Sequence, residues 1–381
     1  MTTTTHDLET LVALRRALHR QPELSGEEHA TAERIRDALA GQADAIVTGL
    51  GGTGLAAVFD SGRPGPSVMF RAELDALPIL ETSAVPWRSQ VAGRGHLCGH
   101  DGHMAILVGL AGVLARNPPR HGRVVLLFQP AEETGAGARA VLADPRFAAL
   151  ACDWAFALHN LPGVAQGTAW MAPGPANCAS LGLVMALHGK TSHASVPEAG
   201  VSPAPALAEL IPALSALGTG GAMDADYRLA TVTHARLGER ALGIAPGWAE
   251  LLVTLRATSD AQLEQMLGAA RSCAAATADR HGLALDMDIE DHFAACSNHP
   301  EASRILGDAL GACAIAHHPG ELPLRASEDF GLFATVSSAA MVFLGAGQGQ
   351  PMLHNPDYDF PDALIAPGIA VFDRIVTQLT R

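Results

Sequence analysis

The sequence predicts an α/β fold: a catalytic domain built on a mostly parallel sheet with helices on both faces, carrying an inserted ferredoxin-like β-α-β-β-α-β domain. Three observations support that expectation. Residues 124–128, 154–158 and 340–344 are unbroken apolar runs, the pattern of parallel strands covered on both faces. Each run gives way to polar side chains towards its carboxyl end, where open α/β sheets build their sites. Residues 177–293 change rhythm, to four strand-like and two helical segments in ferredoxin-like order. A length of 381 residues also suits two domains better than one.

Taken in order, residues 7–20 read as an amphipathic helix with Leu8, Leu11, Val12 and Leu18 on one face, stopped by Pro22. A second helix follows from about Ser25, with Glu28 completing a capping box. Strands near 54–59 and 67–72 come next, and the second runs out through Glu73 and Asp75. Asp75 reads as a site residue and Glu73 as a solvated charge. Residues 95–103 then crowd three imidazoles, a thiol and a carboxylate into nine positions. Cys98 and His100 stand two apart, so an extended backbone points both to one side. That pair suits zinc or another borderline first-row metal, and suits calcium or magnesium poorly. Asp101 reads as the N-cap of a helix whose Met104, Leu107, Val108, Ala111 and Leu114 recur at helical spacing.

The run at 124–128 leads to Glu132 and Glu133, the run at 154–158 to His159 and Asn160, and the run at 340–344 precedes His354. Within the insert, strands are expected near 181–188, 228–236, 248–257 and 283–290, with helices near 203–217 and 259–280. The Pro/Gly stretch 172–175 and the polar stretch 296–300 bracket it. The expected division is therefore 1–176 with 294–381 for the metal-binding catalytic domain, and 177–293 for the insert. Helices near 300–316 and 361–380 complete the first domain.

A formal net charge of −14 without a basic stripe argues against a nucleic-acid partner. No long apolar run predicts a membrane span. The N-terminal stretch has neither a basic nor an apolar segment of a secretory signal, and the six cysteines show no disulfide spacing. A cytoplasmic protein is expected.

The ligand-type residues are Cys98, His100, Glu132, Glu133, His159 and His354. Five ligands suffice for two metal ions sharing one bridge, and one carboxylate is left over as a base. Beside such ions the pKa of water falls towards ~7, and a second ion can polarise a carbonyl oxygen. That combination describes amide hydrolysis.

The ordered blocks 18–25, 71–78, 98–103, 128–133, 157–160, 327–330 and 353–360 resemble the M20 metallopeptidases. The nearest branch is the amidohydrolases: hippurate hydrolases, N-acyl-amino-acid aminoacylases and auxin-conjugate hydrolases. The resemblance implies that Cys98, His100, Glu133, His159 and His354 hold two divalent ions, zinc or manganese first and cobalt or nickel next, with Cys98 bridging. It implies Glu132 as general base and Asp75 as the residue that orients the site. It also implies that the insert is a lid and dimerisation domain of a homodimer. There His193 holds the substrate and the developing oxyanion, often in the partner's site. Two departures fall in this domain. Glu198 replaces a histidine, and Gly243 replaces an asparagine that helps hold the substrate in relatives. Arg256, or Arg240, is then available for a substrate carboxylate. The implied reaction is cleavage of an N-acyl amino acid or similar conjugate to a carboxylic acid and an amine. A dipeptidase of the same fold and a non-catalytic metal-binding relative are the alternatives.

Overall fold

Strands that are apolar on both faces need helices on both faces. The computed structural model, which describes residues 5–381, meets that need in the larger of two compact units. Residues 1–4, within the stretch whose composition argues against a secretory signal, lie outside the described residues. The first unit runs up to Ala176 and resumes over Cys296–Leu322 and Asp329–Arg381. The second comprises Asn177–Ala295 and Pro323–Glu328.

The chain opens with α1 (Thr5–Arg20), α2 (His29–Ala38), β1 (Ala45–Leu50), β2 (Gly54–Asp60) and β3 (Ser67–Glu73). It continues through α3 (His100–Arg116), β4 (Arg123–Gln129), α4 (Gly137–Ala143), β5 (Trp154–Pro162), β6 (Thr168–Trp170) and β7 (Gly174–Asn177). The second unit supplies β8 (Ala179–His188), β9 (Ser192–His193), α5 (Ala204–Ser215), β10 (Arg228–Leu237) and β11 (Ile244–Ala245). It ends with β12 (Trp248–Ala257), α6 (Asp260–Arg280) and β13 (Ala284–Phe293). The return is β14 (Cys296–Asn298), α7 (Pro300–Ala312), β15 (Ala316–His318), β16 (Ser338–Gly347) and α8 (Ile365–Thr380).

The large sheet has the order β1-β2-β4-β3-β5-β16-β6-β15. Its centre, β4-β3-β5-β16, pairs in parallel, and β2 joins it antiparallel. These central strands are the predicted apolar runs plus β3. Helix α3 is apolar around most of its circumference, and 14 of its 17 residues are buried. It shares one core with α1, α7 and α8 and with alternate sheet residues such as Phe70, Leu126, Phe156 and Val342. Phe70 packs against Phe156 and Phe372, with ring centroids 5.9 and 4.7 Å apart.

In the second unit a four-stranded antiparallel sheet runs β10-β12-β8-β13. Strands β8 and β12 alternate buried and partly exposed residues, so one face lies under α5 and α6 while the other is open. The stretch Pro323–Glu328 returns to this unit because its backbone and side chains bond there. Leu324 O accepts from Cys178 N, and Ser327 Oγ pairs with Ser180 Oγ at 2.7 Å.

Three local expectations change. Ser25 and Glu28 form no capping box: α2 begins at His29 with no side-chain cap, and both side chains are drawn into tertiary contacts. Asp101 is not an N-cap. Gly99 caps α3, and the Asp101 carboxylate instead meets Arg15 and His19. Finally, Asp362–Thr380 is long and apolar enough by composition to cross a membrane. Half of it is buried within the first unit, where Ile365, Ile369, Phe372, Ile375 and Val376 join the core.

Candidate metal centre

Strand β3 lies between β4 and β5, so the chain leaves β3 for one neighbour and later returns to the other side. That reversal opens a crevice beyond the carboxyl ends of the strands. Asp75 sits just past β3, Glu132 and Glu133 just past β4, and His159 in the last half of β5. Cys98 and His100 stand at the start of α3, and His354 follows β16.

These residues converge. One ligand atom from each of Cys98, His100 and His159 lies within 4.8 Å of the others, and the same holds for Cys98, Glu133 and His354 and for His100, Glu132 and Glu133. Cys98 Sγ is 3.4 Å from His159 Nε2. Glu133 lies between two imidazoles, 3.8 Å from His100 Nε2 and 3.6 Å from His354 Nε2. Glu132 Oε2 reaches His100 Nε2 at 4.0 Å. His354 is held with φ of 67°, a left-handed conformation unusual for a residue with a Cβ.

The outer nitrogens are tied in ways that aim the inner ones. His100 Nδ1 donates to the Asp75 backbone oxygen at 2.8 Å, and His159 Nδ1 donates to the Asn160 backbone oxygen at 2.8 Å. Both Nε2 atoms therefore face the cluster, the arrangement expected of ligating histidines. Asp75 is fully buried, and its Oδ2 accepts from Ser25 Oγ and from the Glu133 N–H. Gly99 is needed beneath this arrangement. Its φ is 98°, and a Cβ there would fall 2.2 Å from Asn160 Oδ1.

The electrostatics fit a bound cation. Burial pushes the Cys98 thiol well above its ordinary range, and Glu133 and Glu132 push it further. Burial alone would lower His100, yet the Asp75 hydrogen bond and the charges of Glu73 and Glu133 carry it up to about 10. His159 is driven the other way, down to about 3, by burial and the neighbouring His103. His100 Nε2 is buried without a hydrogen-bond partner among the described residues. Thiolate, imidazole and carboxylate donors together match first-row divalent ions.

A second buried network stands behind the candidate ligands, and it corrects the reading of Glu73. Glu73 is fully buried rather than solvated, paired with Arg71 and with His103 Nδ1 at 2.6 Å. Arg71 also binds Asp329 at 2.6 Å and Gln129 at 2.9 Å. His103 Nε2 meets Asn160 Oδ1 at 2.6 Å, and Asn160 donates to the Tyr358 hydroxyl. Sequence reasoning missed Arg71, Gln129 and Asp329 as supports of the site. The available signal was an arginine inside an apolar strand, since a charge placed there needs a buried partner.

The remaining sequence-predicted residues lie in the second unit. His193 is exposed on β9, which pairs with β11 so that His193 opposes Ile244, next to Gly243. Its Nδ1 accepts from the Ser195 N–H at 3.1 Å, so a neutral ring carries its proton on Nε2. The Gly243 oxygen accepts from Ala194 N at 3.0 Å, and a Cβ on Gly243 would meet no atom within 4 Å. Arg256 is placed otherwise. Its guanidinium donates to the Arg325 oxygen and to Ser327 Oγ, within the returning stretch Pro323–Glu328.

Comparison with known proteins matches residues 69–378 to the profile of Peptidase family M20/M25/M40. The chain is 38% identical over 208 residues to N-acetyl-L-cysteine deacetylase of Bacillus subtilis (strain 168), a match spanning 54% of this chain and 50% of that protein. It is 27% identical over 371 residues to hippurate hydrolase of Campylobacter jejuni, covering 96% of this chain and 95% of that one. Among solved structures, a dinuclear metal-binding peptidase of the M20 family from Bacillus subtilis superposes with a TM-score of 0.81 at 25% identity. That superposition covers 99% of this chain and all of the other.

Proposed function

This chain belongs to peptidase family M20/M25/M40, and we infer from that premise that it is a two-metal amidohydrolase. It cleaves the amide bond of an N-acyl amino acid or similar conjugate, giving a carboxylic acid and an amine. The observation that carries the reading is the convergence of thiol, imidazoles and paired carboxylates in one crevice. Support comes from two relatives, whose names specify N-acetyl-L-cysteine and hippurate, both N-acyl amino acids.

In this reading Cys98, His100, Glu133, His159 and His354 would hold two divalent ions, zinc or manganese before cobalt or nickel. Bound there, the pair supplies Lewis acidity to the substrate carbonyl and lowers the pKa of the attacking water. Glu132 takes the water's proton and passes it to the leaving amine nitrogen. Asp75 fixes the backbone that orients His100 and holds the Glu133 amide. His193 donates from Nε2 to the developing oxyanion, a role its Ser195-bound Nδ1 supports.

The second unit acts as the lid and dimerisation domain of a cytoplasmic homodimer. Its partly open sheet and the exposed Leu242 and Ile244 beside His193 support that assignment. Gly243 leaves room where a polar side chain would narrow the choice of substrate. Arg256, bound through Nη1 to the Arg325 oxygen and to Ser327 Oγ, would offer its remaining donors to a substrate carboxylate.

The test is a screen of N-acyl amino acids on metal-loaded protein, with metal analysis of the same samples. A chelator should abolish hydrolysis, and zinc, manganese or cobalt should restore it. Full activity with less than one ion per chain would overturn the mechanism.

A further inference from the structure

The two backbone amides that flank Glu132 are each held by a buried carboxylate. Glu133 N–H donates to Asp75 Oδ2 at 2.9 Å, and Ala131 N–H donates to Glu28 Oε1 at 2.8 Å. Ala131 has φ of 49°, the left-handed region that residues with a Cβ avoid. Its oxygen is pinned as well, accepting from Gly137 N at 3.0 Å and from Thr134 Oγ1 at 3.3 Å. This strained turn is what directs the chain from the end of β4 into the Glu132–Glu133 pair. Strain of this kind persists only where its surroundings over-determine it.

Glu28 holds this amide within a small buried network of its own. It is fully buried and stands just before α2, whose N-terminus its side chain does not cap. Its Oε1 also accepts from Gly26 N at 2.9 Å, and its Oε2 accepts from Thr53 Oγ1 at 2.7 Å. Three residues earlier, Ser25 Oγ donates to Asp75 Oδ2 at 2.7 Å. One four-residue stretch thus supports both carboxylates that grip the base loop.

We propose that Glu28 is a positioning residue for the catalytic base: by holding the Ala131 amide it keeps Glu132 aimed at the attacking water. The proposal rests on the role assigned to Glu132 above. It assigns Glu28 no contact with substrate and no share in metal binding. Small displacements of a reacting group are costly, on the order of 10²-fold for about 1 Å.

The experiment compares Glu28→Ala, Glu28→Gln and Thr53→Val in the metal-loaded full chain, each also combined with Glu132→Gln. Glu28→Ala should lower kcat by about 10- to 100-fold while KM and metal content stay near those of the unaltered protein. Glu28→Gln should recover most of kcat, since its amide oxygen can still accept from Ala131 N. Thr53→Val should give a smaller loss in the same direction, and it serves where Glu28→Ala folds poorly. In the Glu132→Gln background, none of the three should lower the residual turnover further, a result that a merely structural role would not give. Equal kcat in Glu28→Ala, or the same fractional loss with and without Glu132, would overturn the proposal. An inactive or metal-free unaltered protein would instead refute the two-metal reading itself, before Glu28 is tested.

Discussion

Glu132 and Glu133 are adjacent in sequence, and their surroundings separate them. Glu133 lies within 3.8 Å of His100 Nε2 and 3.6 Å of His354 Nε2, between two candidate ligands. Glu132 Oε2 stands farther off, 4.0 Å from His100 Nε2. Glu132→Gln should therefore keep the metals and near-normal KM but lower kcat by roughly 10²–10⁴-fold. Glu133→Gln and Cys98→Ala should lower metal content along with activity, measured by elemental analysis after dialysis. The reverse pattern in the two glutamates would exchange their roles. At this scale the residue types of the candidate site were legible, because a thiol and an imidazole two residues apart carry their chemistry in their spacing. Glu73 was not legible. Whether a strand-end carboxylate is solvated or paired depends on Arg71 and His103, and only folding brings those three together.

Helix α1 is tied to the start of α3, where the candidate ligand His100 stands, by charges buried at their junction. Arg15 contacts Asp359 at 2.5 Å and Asp101 at 3.3 Å, and His19 lies between Asp101 at 2.9 Å and Glu81 at 3.1 Å. Burial alone would lower the His19 pKa, but Asp101 and Glu81 raise it from 6.5 to about 9. A raised histidine pKa stabilises the fold fully below about 6.5, and that stabilisation is lost as pH climbs through about 9. The contribution at stake is on the order of a few kcal/mol. Urea unfolding followed from pH 6 to 10 should show the midpoint falling across this window, and His19→Gln should start lower and flatten the fall. An unchanged slope in that variant would assign the loss to other groups. The amphipathic pattern of α1 predicted a helix here, yet it gave no sign that Arg15 and His19 would be buried with acids.

For the whole molecule, the proposed lid makes a test that neither residue nor element can provide. If His193 serves the partner's site, mixing an inactive Glu132 variant with an inactive His193 variant should restore part of the activity. Each mixed dimer would then carry one intact site. No rescue despite demonstrated subunit exchange would place His193 in its own subunit or outside the reaction. The chain enters the second unit at Asn177, leaves it at Ala295 and returns for Pro323–Glu328. Nothing in the polar composition of that last stretch announced the return. It depends on bonds to Cys178, Ser180 and Arg256, residues 70 to about 150 positions away.

The sequence by itself determined the α/β class, the β-α-β-β-α-β order of elements and the side-chain types of the candidate site, because these follow from local periodicity and residue identity. Tertiary structure decided which polar residues became supports. Ser25 and Glu28 had the spacing of a capping box, but Asp75 and Ala131 compete for the same side chains and hold them. Asp101 had the position of an N-cap, but Arg15 and His19 claim its carboxylate. A buried charge satisfies its strongest available partner, and the strongest partners here lie far away in sequence, where no local pattern can reveal them.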